Sequence, residues 1–246
     1  PAADTVVISA PQAVINWRPD DTTGTGTIDF LPQGNVVNFI GTGDYVVLNR
    51  IIPVDGSNVP IARLIALNGQ INATNGSITG GSVWFYSPGG ILVGQNAAIN
   101  VGSLVLSSRD IDTTGGLFGA GGEIRFRDPR LAAANSAAIT IAPAATITTT
   151  SGGPAGSNFV ALVAPRIEQA GRINADGSVA LVAAEVADIT FNQGLFDINV
   201  TVGSSEQRGA FPVDRYRLDT EGCERIAEEI LRPIERERGP IRSLVV

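Results

Sequence analysis

The stretch Gly69-Gln70-Ile71-Asn72-Ala73, followed by Gly76-Ser77-Ile78, returns further along the chain as Gly171-Arg172-Ile173-Asn174-Ala175, followed by Gly177-Ser178-Val179. Looser copies stand at Ala98-Ile99-Asn100-Val101-Gly102-Ser103-Leu104 and at Ala145-Thr146-Ile147-Thr148. An aliphatic residue followed by Asn and a small residue, with glycine close by, reads as a short strand and its corner. Asn tolerates left-handed backbone angles and hydrogen-bonds its own turn. A recurring unit too small to bury its own apolar face must stack on a neighbour, which is the logic of a repeat architecture.

Outward from these cassettes, short strands read at 83–86, 91–93, 99–101, 104–107, 124–126, 139–141, 147–149, 159–164, 173–175, 178–184 and 188–191. Strands starting at 83, 104 and 124, and at 139, 159 and 178, follow each other at intervals of about 20 residues, as a parallel β-helix with three strands per coil requires. The spacing therefore predicts an all-β parallel β-helix (β-solenoid) over residues 1–205. Val, Ile, Leu and Ala form ladders inside it, and Asn, Thr and Gly occupy the corners. A β-sandwich also uses evenly spaced short strands and stays open as the alternative. The scarcity of two-residue hairpin turns and the repeated Ile-Asn-Ala unit favour the helix.

Composition narrows the chemistry. The 246 residues include 17 Arg and no Lys, 24 acidic residues, no His and one Cys, for a net charge of −7. Without His there is no histidine-based triad and no imidazole metal ligand. One Cys excludes an intrachain disulfide and a Cys-only zinc site. An acidic chain without Lys is a poor partner for nucleic acid or anionic lipid, so no nucleic acid is expected. No apolar run reaches membrane-spanning length, and no basic-then-apolar leader opens the chain, so an exported protein would be present here in mature or trimmed form.

Charge density changes near Gly203-Ser204-Ser205: residues 1–205 carry 9 Arg and 15 acids, whereas 206–246 carry 8 Arg and 9 acids. The charged tail, 206–246, is expected to be partly helical. Cys223, Ile226, Ala227, Ile230 and Leu231 share one face of a helix near 221–232, with Asp219 or Thr220 as its cap and Pro233 as its end. A helix there would cap the open end of the solenoid or reach a neighbouring subunit.

Three further segments carry the residues that resemble a known family. Asp44-Tyr45-Val46-Val47-Leu48-Asn49-Arg50 resembles the Val-Leu-Asn-Arg segment of two-partner secretion (TPS) domains in filamentous haemagglutinin-like exoproteins. Val83-Trp84-Phe85-Tyr86-Ser87-Pro88-Gly89-Gly90-Ile91 stands where those proteins carry a strand followed by Asn-Pro-Asn-Gly-Ile. The run from Gly94 to Asp112 is similar to the segment that follows in the family, and the likeness covers roughly residues 5–200. The resemblance implies a right-handed β-helix that is secreted or held at the cell surface. It also implies export through an outer-membrane β-barrel transporter, and a role in adhesion, aggregation or biofilm. Carried onto this chain, the secretion-motif positions are Asn49, Arg50, Ser87, Pro88, Gly89 and Gly90. Ser87 and Gly89 replace the two Asn of the family turn, but Pro88 still fixes φ and the two glycines still permit a tight turn.

Other constellations are weaker. Asp110 and Asp112 lie on the same side of an extended segment and are a candidate ligand or ion site, although a calcium ion needs six to eight oxygens. The plainer reading is a loop ending a strand, with Arg109 offsetting the two charges. Glu123, Arg125, Arg127, Asp128 and Arg130 read as an excursion loop with its charges in water, after a flexible glycine-rich loop at 115–122. They also support the enzymatic alternative, a carbohydrate-active β-helix of the polysaccharide lyase or hydrolase type, although Arg makes a poor base. Trp17, Trp84, Phe85 and Tyr86 are candidate sugar-stacking residues or core packing, Trp84 and Tyr86 on one strand face and Phe85 on the other. No catalytic residue, cofactor or metal is assigned. The expected work is non-enzymatic, with surface carbohydrate or other cells as targets and head-to-tail copies of the chain as a filament.

Overall fold

The computed structural model describes residues 2–204, apart from 22–23, 130, 132–136, 151–157 and 193–194. The expected tail, 206–246, and its helix near 221–232 lie outside the described residues. Those residues contain strands and turns but no α-helix.

The strands fall into coils. The first holds β1 (Ala3–Ile8), β2 (Gln12–Trp17) and β3 (Ile28–Leu31). The second holds β4 (Val36–Gly41), β5 (Val46–Ile51) and β6 (Ile65–Leu67). The third has β7 (Gln70–Asn75), β8 (Ile78–Thr79), β9 (Ser82–Tyr86) and β10 (Ile91–Val93). In the fourth, β11 (Ala98–Val101) and β12 (Ser103–Ser107) are followed by an excursion with β13 (Asp110–Ile111) and β14 (Glu123–Arg127), before β15 (Ile139–Ile141). The fifth has β16 (Thr146–Thr149), β17 (Asn158–Ala164) and β18 (Ile167–Gln169). The last comprises β19 (Arg172–Ala175), β20 (Gly177–Asn192) and β21 (Leu195–Gly203).

Corresponding strands stack in parallel into three sheets. One runs β1-β4-β7-β11-β16-β19, a second β3-β6-β10-β15-β18, and the third β2-β5-β9-β12-β17-β20. This is the solenoid that the cassettes predict, and they form its rungs. Ile71 pairs with Ile99, Ile99 with Ile147 and Ile147 with Ile173, all buried or half-buried toward the interior. Next to them Asn72 Nδ2 donates to Asn38 Oδ1 at 3.1 Å, and Asn100 Nδ2 to Asn72 Oδ1 at 3.3 Å. The Asn side chains thus bond from coil to coil along a ladder, rather than each closing its own corner as the sequence suggested.

The coil length departs from the expected 20 residues. Those Asn–Asn bonds span 34 and 28 residues. The starts at 83 and 104 are true neighbours, since Val83 pairs with Leu104, and 159 and 178 are as well. The starts at 104 and 124 are not, because β14 leaves the stack, and 139 and 159 belong to different sheets. Loops and the excursion lengthen most coils, so equal spacing along the chain does not mark equivalent strands.

Two cores share the third sheet as a wall. Alternate residues of a strand face opposite ways. Val47, Val83, Phe85, Leu104, Leu106, Val160 and Leu162 point inward and join the core enclosed by the coils. Leu48, Trp84, Tyr86, Val105, Ala161 and Val163 point outward into a second core. That outer core is closed by Ile111, Leu117, Ile124, Phe126, Ala187 and Ile189, from the excursion and from β20. Strands β12 and β17 are buried at every residue, as expected for a sheet covered on both faces.

The cover is antiparallel. β13 pairs with β14, β14 with the second half of β20, and β20 with β21. The strand expected at 124–126 is β14, but it belongs to a sheet rather than to a solvated excursion loop, because Ile124 and Phe126 alternate with Glu123, Arg125 and Arg127 and bury one face. Likewise the strands expected at 178–184 and 188–191 are one 16-residue strand. It runs parallel to β17 up to Ala183 and antiparallel to β14 from Ala187.

Candidate functional site

The residues that the resemblance marks as secretion-motif positions collect on the third sheet and at its following corner. Asn49 is completely buried. Its Oδ1 accepts from Trp17 Nε1 at 3.0 Å, and its Nδ2 donates to the Trp84 carbonyl at 3.3 Å. The amide thereby joins three coils, since Trp17, Asn49 and Trp84 lie on β2, β5 and β9. An amide supplies both the acceptor and the donor this position needs.

Arg50, one residue on, faces the other way, under the antiparallel cover. Its guanidinium lies 3.1 Å from the Asp110 carboxylate and donates to the Ile111 carbonyl at 2.7 Å. It also stands over the Tyr86 ring, 5.9 Å from the centroid. Burial pushes the Tyr86 hydroxyl well above its ordinary pKa, and the Asp110 carboxylate adds to the shift. The stretch 49–50 therefore braces the stack through one residue and holds β13 through the other.

At the turn, the Gly90 N–H donates to the Ser87 carbonyl at 3.1 Å, across Pro88 and Gly89. Gly90 has φ +96°, a conformation that favours glycine. Gly89 is required for another reason: a Cβ there would overlap the backbone of Arg63 in the coil below. A Cβ on Gly90 would press on the Ala138 carbonyl in the coil above. The turn is clamped between neighbouring backbones, which explains why glycine stands where the resembled motif has the second Asn. Ser87 is fully buried, so its short side chain fits the same enclosure.

Asp110 and Asp112 have different partners. Asp110 meets Arg50, whereas Asp112 accepts from the Thr114 N–H at 2.9 Å and lies 3.6 Å from Arg125. The bonds from Thr114, with smaller help from Arg125 and Arg127, hold the Asp112 carboxyl below the usual carboxylate range. Among the described residues no group of three or more His, Cys, Asp or Glu side chains is placed to hold a metal. Arg127 pairs with Asp188 at 2.6 Å. The charges of 123–127 thus face partners rather than water alone.

Arg109 was expected to offset Asp110 and Asp112, but it pairs elsewhere. Only 4% exposed, it donates to Glu185 at 2.5 Å and lies 3.6 Å from Asp128. Burial lowers its pKa, while the carboxylates of Glu185 and Asp128 oppose that shift. Nothing in the sequence pointed to this cluster, because its members lie far apart along the chain and meet only after β20 crosses the sheet. The aromatics of the motif strand are packed: Trp84 is fully buried and makes an edge contact with Phe118 at 5.3 Å.

The model of one family, the TPS secretion domain, matches residues 19–239. No match to a curated protein was found. The family match begins after β2 and covers the later coils, with Asn49, Arg50 and the clamped turn. The chain belongs to the two-partner secretion domain family of filamentous haemagglutinin-like exoproteins.

Proposed function

We propose that this exported chain acts as a non-enzymatic, right-handed β-helical adhesin. It is secreted through an outer-membrane β-barrel partner and works at the cell surface in attachment, aggregation or biofilm, with copies stacking head to tail. The family match over residues 19–239 carries this reading, since it lies on stacked parallel coils. The right-handed winding follows the general preference for right-handed crossovers between parallel strands. Surface carbohydrate is the proposed target. The enzymatic alternative has no comparable support, because Asp110, Asp112 and Asp188 each face an Arg.

Within this reading Asn49, Arg50 and Ser87 to Gly90 are recognised by the transporter before the coils close. Burial of Asn49 and Ser87 supports that order, since a folded chain hides both side chains. The test compares secretion with refolding for Asn49→Ser and Arg50→Gln. Variants that refold in the tube but stay behind in the cell support recognition of the extended chain. Variants that leave the cell normally, or fail equally in both assays, show that the residues serve the fold alone. For the assembly claim, electron microscopy of the purified chain should show rods with a one-subunit repeat; isolated single particles would overturn it.

A further inference from the structure

We propose that β13, β14, the second half of β20 and β21 form a lid that closes on the third sheet after the coils have stacked, and that Arg109 is its latch. The lid belongs to the folded chain, whatever surface role the exported protein plays.

The two cores are separable. Among the described residues, the core inside the coils draws on none between Ser107 and Ile139, and on none after Leu181. The outer core depends on both regions: Ile111, Leu117, Ile124 and Phe126 come from the excursion, and Ala184, Ala187 and Ile189 from β20. Among the described residues, the excursion has no strand ladder of its own to the coils. Among the described strands β13 pairs with β14 alone, and β14 is tied to the third sheet through residues 187–190 of β20. Until β20 is in place, the excursion has no strand to join, and Leu48, Trp84, Tyr86 and Val105 stay uncovered.

The latch lies where the lid is hinged. Arg109 is where the chain leaves β12 for the excursion, and Asp128 is where it turns back after β14. Glu185 sits at the register irregularity of β20, between the part that pairs with β17 and the part that pairs with β14. One buried guanidinium contacts both acids. It therefore ties the exit, the return and the point where β20 changes partner. Arg109 is fixed from its own side by Ser107, whose Oγ donates to the Arg109 carbonyl at 2.7 Å and accepts from its N–H at 2.9 Å. Arg50, under β13, is a second and more exposed tie.

Amide hydrogen exchange on the full chain tests this. In the unsubstituted protein, amides of β13, β14 and the second half of β20 should exchange faster than those of β12 and β17. Arg109→Gln should speed the lid amides on the order of a hundredfold, because it removes the buried cation that ties Glu185 and Asp128 to the end of β12, and leave the β11 and β16 amides unchanged. Adding Glu185→Gln should restore part of the protection, since the carboxylate that faced the removed guanidinium is then neutral. Uniform exchange across lid and coils in the unsubstituted chain would overturn the proposal, as would equal acceleration of both by Arg109→Gln. If that variant does not fold, Arg109→Lys and the unsubstituted chain still decide between a separate lid and one cooperative unit.

Discussion

At Gly89 the backbone of a neighbouring coil leaves no room for a methyl group, whereas at Gly43 nothing lies within 4 Å and φ is ordinary. Gly89→Ala should therefore cost about 1–3 kcal/mol or more through overpacking. Gly43→Ala should stay within about 0.5 kcal/mol of the parent. Urea denaturation of the two variants checks the contrast. Asn49→Ala should cost about 1–3 kcal/mol, because it leaves the Trp17 N–H and the Trp84 carbonyl without their partner. Tyr45 sets a pH limit. Its ring is buried against Gly41 and Gly81, and burial pushes its pKa up to about 12 from 10.0. The unfolded chain then ionises first. The stability this tyrosine contributes is complete below about pH 10 and falls by about 1.4 kcal/mol per pH unit above it, until the folded group ionises too. Tyr86, shifted the same way, steepens the fall. Stability curves between pH 8 and about 11.5 should show this loss, and Tyr45→Phe should flatten part of the slope.

Among the elements, β14 shows how a strand can be legible and its role hidden. The alternation Glu123-Ile124-Arg125-Phe126-Arg127 marks a strand, and its observed bounds lie within one residue of those expected. Its partner, however, is β20, as the Arg127–Asp188 bond across 61 residues shows. Local periodicity carries no information about such a pairing. The Ile-Asn-Ala strands were read correctly because each buries its Ile against an identical neighbour, so pattern and stacking agree. Asn49, Arg50 and the 87–90 turn are singled out by resemblance alone, whereas Arg109, Asp128 and Glu185 carry no such signal because they meet only in the folded chain. Phe126 is fully buried in the outer core. Phe126→Ala should cost about 3–5 kcal/mol, and the loss should fall on the lid. Trp84 packs beside it in that core and Trp17 reports on the coils. Fluorescence of single-tryptophan variants during unfolding should show the Trp84 signal changing at lower denaturant than the Trp17 signal.

Taken as a whole, the described molecule is a stack whose coils bury one continuous aliphatic column with a second layer against one side. A chain ending at residue 205 should keep its β-type circular dichroism and a cooperative thermal transition, while associating less than the full chain. Loss of the transition would show that the charged tail is integral to the stack. The column itself is made of near-identical steps: Ile71, Ile99, Ile147 and Ile173 would fit one another's places with little change. Such a zip could close one tooth out of line at almost no penalty in its interior. Misalignment is instead forbidden by the parts that do not repeat, such as the pinched Gly89, the Tyr45 ring between two glycines and the Asn49 brace. They act as index marks, and removing one should produce shifted, kinetically trapped forms before it produces an unfolded chain.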